Sequence, residues 1–244
     1  MKRWFLPIIV VLTLGLCIAF AGDFWKSKKY STWSDEETKK MLEDSPWAHQ
    51  APVKYTFTGG PGTGGMGRGG MGGGMPPGGM GGGGGEGGGG FGPLGPPRPQ
   101  AQTPKVTLRW QSALPVKQAI ARARYGDTVE TSEEAAKVLA REETQYILGI
   151  IGVMGAPNSI KTDVLKAGST LKIGELPPIQ ALDILTDRQG MLTNIYIAFP
   201  KAQPGAHMIS EGDKSLEFQL KTPNIEVKAK FSLKDMVYQD KLAI

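Results

Sequence analysis

Cysteine is the scarcest residue of this 244-residue chain: there is one, Cys17, and only two histidines, His49 and His207, accompany it. A single thiol forms no internal disulfide and builds no cysteine-based zinc site. The histidines stand far apart, so no pair at helical spacing exists for a metal ion, and each reads as a Pro-flanked loop position without a serine nucleophile beside it. Gly-x-Ser-x-Gly is absent, which removes the nucleophile-elbow signature. An excess of one charge is lacking too. The 28 basic and 23 acidic residues are scattered, without the dense basic stripe that binds nucleic acid. Carboxylate pairs suited to a glycosidase can be drawn, Asp183 with Asp187 or Glu142 with Glu143, but two acids can be picked from almost any chain. These shortages point to a non-catalytic protein without a cofactor, with an unrecognised hydrolase as one alternative.

Long hydrophobic runs are equally scarce, and the longest opens the chain. Lys2 and Arg3 precede an apolar stretch from Trp4 to Phe20, and Ala19-Phe20-Ala21 stands before Gly22-Asp23. That layout predicts a secretory signal peptide over residues 1–21 and a mature protein in the periplasm or outside the cell. The same stretch is long enough to serve instead as an inner-membrane anchor over residues 4–21, and only then is the membrane a partner. Cys17 follows Leu16, where lipoprotein processing requires a small residue, so it reads as an apolar filler. Cleavage after Ala21 removes the only thiol and leaves 26 basic against 23 acidic residues.

Glycine, by contrast, is abundant, and most of it falls between Gly59 and Gln100. A tract of Gly, Met and Pro buries too little apolar surface to offset its backbone entropy, which predicts a disordered insertion over 59–104. Gly60-Pro61-Gly62-Thr63-Gly64-Gly65 lacks the Lys-Ser/Thr of a phosphate loop. The tract also carries Met66, Met71, Met75 and Met80, whose soft thioether sulfurs suit Cu(I). Copper handling outside the cytoplasm is therefore a second alternative, set against a passive linker.

The insertion divides an N-terminal arm and first strand, 22–58, from a body over 105–244. In the arm, Ser34 followed by Glu37 is a capping box that predicts a helix from Asp35 to about Asp44, ended by Ser45-Pro46. Trp25, Trp33, Met41, Leu42 and Trp47 give this small element more apolar area than it can cover alone, so it docks on the body or on a partner. Alternation predicts strands over Val53–Thr58 and Val106–Gln111, paired as a hairpin with a stretched loop. Helices follow over Ser112–Tyr125, with Val116, Ile120 and Ala123 inward, and after Thr131 or Ser132, with Ala135, Val138 and Leu139 inward. The unbroken apolar run within Thr144–Met154 predicts a central strand covered on both faces. Beyond it the pattern is β: Thr170–Ile173, Ile179–Thr186, Thr193–Phe199, Ser215–Lys221, Ile225–Leu233 and a short strand near Val237. The expected fold is α+β, mostly antiparallel β, with a sandwich-like body, two or three short helices and the glycine-rich insertion.

Three stretches carry a likeness to known sequences: Trp33-Ser34-Asp35-Glu36-Glu37 with Asp44-Ser45-Pro46-Trp47-Ala48, Leu108 to Val116, and Lys230 to Tyr238. Together they resemble an uncharacterised family of exported, acidobacterial-type proteins of soil bacteria. The resemblance implies that arm and body belong together and carries over no activity or site residue. The resulting expectation is an exported cell-envelope binding or structural module whose partner is an envelope protein or a cell-wall component.

Overall fold

Local chemistry at Ser34 is realised as the sequence implies. In the computed structural model, which describes residues 23–56, 103–154, 161–201 and 209–244, Ser34 Oγ accepts from Glu37 N at 3.2 Å and Glu37 Oε2 accepts from Ser34 N at 2.9 Å. The reciprocal bonds satisfy two donors that a helix start otherwise leaves unpaired. The leader with Cys17, the tract with Met66, Met71, Met75 and Met80, and His207 lie outside the described residues.

A short helix α1, Phe24–Ser27, precedes the capped helix α2, Asp35–Glu43. The end of α2 is closed by Ser45, whose hydroxyl donates to Met41 O at 2.8 Å, before Pro46 is reached. Strand β1 then runs over Ala48–Tyr55, five residues ahead of its expected start and through Pro52. The reason is a change of partner. Ala48 to Pro52 pair with β2, Lys105–Trp110, whereas Val53 to Tyr55 pair with β9, Ile225–Ser232. Proline, lacking an N–H, falls at the switch. The expected hairpin of β1 with β2 is present.

Helix α3 spans Leu114–Tyr125 and helix α4 spans Glu133–Ala140, the latter capped by Ser132, whose hydroxyl accepts from Ala135 N at 3.2 Å. Two expectations fail here. Ala123 is exposed, and Val138 is 48% exposed, because α3 buries Val116 and Ala119 while α4 inserts only Ala135 fully. A further helix, α5 over Thr162–Gly168, was not expected: it is under two turns long and has no side-chain cap to announce it. Gly168 ends it against β8, Ser215–Lys221, where an added Cβ would lie 2.3 Å from Lys221 O.

The remaining strands are β3 Gln145–Met154, β4 Ser169–Ile173, β5 Ile179–Gln180, β6 Asp183–Gln189, β7 Leu192–Pro200, β10 Val237–Tyr238 and β11 Lys241–Leu242. Nine form one antiparallel sheet in the order β5-β4-β8-β9-β1-β2-β3-β7-β6, and β10 pairs β11 separately. The single strand expected over Ile179–Thr186 is two. β5 pairs β4, then Ala181 N donates to Ser169 O and Leu182 N to Ala198 O, and β6 joins β7. Strands that serve two half-sheets make the corners of a curled sheet, here β1 at one and β5–β6 at the other. The halves face each other across one core: Phe199 meets Phe218 at 6.3 Å and Trp110 meets Phe231 at 5.5 Å between ring centroids. Strand β3 is flanked by β2 and β7, while β1 holds the middle of the order. Its inner face, Tyr146, Leu148 and Ile150, is buried; on its outer face Ile147 and Ile151 are only half-buried.

The arm belongs to the same core. Phe24, Trp25, Trp33, Met41 and Trp47 are buried in it, and partly buried Leu42 packs against it. Edge-to-face contacts link Phe24 to Trp33, Trp25 to Trp47 and Trp47 to Tyr238, and Trp47 Nε1 donates to Ala243 O at 2.6 Å. The candidate partner-docking residues Trp25, Trp33, Met41, Leu42 and Trp47 are therefore covered by their own body, which supplies the apolar surface they needed.

Candidate functional site

The acids singled out in the sequence do not converge. Asp183 and Asp187 are exposed on β6, where Asp183 Oδ1 accepts from Ile184 N at 2.8 Å and Asp187 accepts from Gln189 Nε2 at 3.0 Å. Glu142 is exposed, while Glu143 pairs with Lys117 at 3.0 Å. His49 is not in a loop. It sits in β1, half-buried, 4.6 Å from the Phe231 ring, and burial pulls its imidazole below the ordinary range although Asp44 opposes this. Among the described residues no group of three or more His, Cys, Asp or Glu side chains is placed to hold a metal ion.

What the fold does assemble is a hollow on the outer face of the sheet. Register sets Leu185 of β6 beside Tyr196 of β7, Tyr196 beside Gly149 of β3, and Gly149 beside Arg109 of β2. The next row holds Asp183, Ala198 and Ile147, and Gln111 N donates to Ile147 O at 2.8 Å. Side chains are missing at Gly149 and nearly so at Ala198, so the surface sinks between their neighbours. The cavity, about 340 Å³, is lined by Gln111, Ile147, Asp183, Leu185, Tyr196 and Ala198.

Its polar rim is ordered. With its amide oxygen turned toward the guanidinium, Gln111 accepts from Arg109 Nε and Nη2, both at 3.0 Å. Gly149 makes room for this, since a Cβ there would come within 3.2 Å of Gln111 Cγ. Burial pushes the Arg109 guanidinium below its ordinary range, with Tyr196 and Glu43 acting in the opposite sense. Asp183 is occupied by its neighbour's N–H. The floor is thus apolar, and the polar groups fix one another.

Beside the hollow, the β6–β7 hairpin carries a run of uncovered apolar side chains: Leu182, Leu185 at 67% exposure, Met191 at 82% and Leu192. β6 pairs β7 along one edge and, among the described residues, no strand along the other, and α5 packs against part of it. Sequence reasoning missed all of this except the two aspartates. One signal was available: a glycine inside an apolar strand marks a close approach or a missing side chain, and Gly149 stands within the run of β3.

No protein-family profile matches the chain, and neither the curated proteins nor the solved structures contain a match to it.

Proposed function

We propose that this chain is an exported, non-catalytic module of the cell envelope that binds an extended segment of a partner protein along β6, one apolar side chain of that segment seated in the hollow. The observation that carries this reading is that β6 both lines an apolar cavity and has an edge along which no strand of the described residues pairs. Backbone N–H and C=O groups along an edge strand are complementary to another polypeptide backbone, while a pocket beside it selects alternate side chains. The exposed leucines and Met191 of the hairpin add apolar area next to that edge. Export rests on Lys2, Arg3 and the apolar stretch ending in Ala19-Phe20-Ala21. A retained leader would make the same module an anchored one.

The test is site-specific photo-cross-linking in the native envelope. A photoreactive phenylalanine analogue is placed at Leu185 and, as a control on the outward face of β9, at Lys228. The expected result is a protease-sensitive adduct from position 185 alone, lost when Ala198→Trp fills the hollow. Equal adducts from both positions, or an adduct released by glycan hydrolysis and not by protease, would overturn the reading.

A further inference from the structure

Charge is unevenly placed on the sheet face that carries the hollow. Alternation along β6 sets Asp183, Leu185 and Asp187 on that face, and register puts Ala198, Tyr196 and Asn194 of β7 opposite them, with Ile147 and Gly149 of β3 beyond. None of these neighbours is charged. Asp183 and Asp187 are exposed, and neither has a cationic side chain of the described residues within ion-pair distance. Their hydrogen bonds are local, from Ile184 N and from Gln189 Nε2.

The cations of this region are placed elsewhere. Arg188 falls on the opposite face of β6 by the same alternation, its Nε donating to Gly190 O at 3.2 Å, and Arg109 of β2 is held by Gln111. Lys161 and Lys166, at and within α5, are exposed and pair with neither aspartate. Asp183 and Asp187 stand four residues apart, about 13 Å along an extended strand, which is too far to share one ion. That spacing matches alternate positions of another strand laid beside β6.

A second copy of the chain fits this edge poorly. Antiparallel pairing of β6 with itself, keeping the outward face continuous, sets Asp183 against Asp187 when centred on Leu185 and Asp187 against itself when centred on that residue. Centred on Thr186, it sets Leu185 against Asp187. Like charges directly opposite destabilise a strand pair, whereas opposite charges support it. The complement of acid, apolar and acid at alternate positions is base, apolar and base.

We propose that the segment bound along β6 is basic, with lysine or arginine four residues apart facing Asp183 and Asp187 and the apolar residue midway between them directed to Leu185 and the hollow. This rests on the edge-binding reading and adds the chemistry that selects the segment. Fluorescence anisotropy with labelled Ser-Lys-Thr-Leu-Thr-Lys-Ser, and with the same peptide carrying Gln or Glu at both lysine positions, tests it. At low salt the Lys peptide should bind about threefold more tightly than the Gln peptide and about tenfold more tightly than the Glu peptide, and added salt should narrow both differences. Asp183→Lys with Asp187→Lys should invert the order. Asp187→Asn alone should reduce the discrimination by about threefold, and it keeps the test open if the double variant fails to fold. Equal affinity for all three peptides, or an unchanged order in these variants, would overturn the proposal and leave edge binding standing. Failure of all three to bind would also overturn it, and the photo-adduct at position 185 then decides the edge reading separately. A dimer of the purified chain that Leu185→Lys dissociates would put a second copy on this edge and overturn the basic segment.

Discussion

At the scale of single residues, His49 shows how a fold assigns a property that composition does not. Its ring lies against Phe231 inside the curled sheet, and burial favours the neutral imidazole. The folded state therefore binds its proton less readily than the unfolded chain, whose imidazole titrates near 6.5. Stability is at its full value above that point and is lost as pH falls through the lower folded value. Urea midpoints measured at about pH 7.5 and about pH 5 should fall on acidification in the wild type, and His49→Gln should flatten that fall. An equal fall in both proteins would place the acid-sensitive group elsewhere. Neither Arg109 nor Gln111 stood out in the sequence, although their side chains form the ordered rim of the hollow. Their meaning comes from the bare backbone of Gly149 beside them, which three strands must align to provide.

Elements were legible where their determinants lie within a few residues of one another. The capping box of α2 is such a case, since Ser34 and Glu37 satisfy each other's backbone groups without help from the rest of the chain. Ser34→Ala should cost about 1 kcal/mol of global stability, because the arm shares the core and cannot fray independently. Chemical denaturation checks the size, and an unchanged midpoint would show that α2 contributes nothing to the cooperative unit. The paired strands β8 and β9 were legible for a similar reason: Leu216, Phe218 and Leu220, with Ile225, Val227 and Phe231, alternate with polar residues and all are buried. β1 and β5–β6 were not. Each divides its hydrogen bonds between two half-sheets, and no alternation pattern records which neighbour a backbone group will meet. In α4, Ala135 and Val138 share an apolar stripe, yet only Ala135 has a neighbour to cover it.

For the whole molecule, the glycine tract is the connection between two strands that pair from Ala48 with Arg109 to Pro52 with Lys105. Loop-closure entropy rises only with the logarithm of length. Replacing residues 59–100 by a short Gly/Ser turn should therefore leave the fold intact and raise stability by about 1–2 kcal/mol. The same variant addresses copper, because it removes Met66, Met71, Met75 and Met80 together. Undiminished Cu(I) affinity after the replacement would reject a role for those sulfurs, and a loss of folding would reject the passive loop. By itself the sequence determined the α+β class, most strand positions and the capped helix. Those properties follow from periodicity, capping and composition, which act over short stretches of chain. Tertiary structure alone decided that the arm's aromatic residues would be consumed by its own core, that the sheet would curl about two partner-switching strands, and that an apolar hollow would form. Each of those depends on register and packing between segments remote in sequence, where the same side chain is core, wall or surface according to what the fold lays beside it.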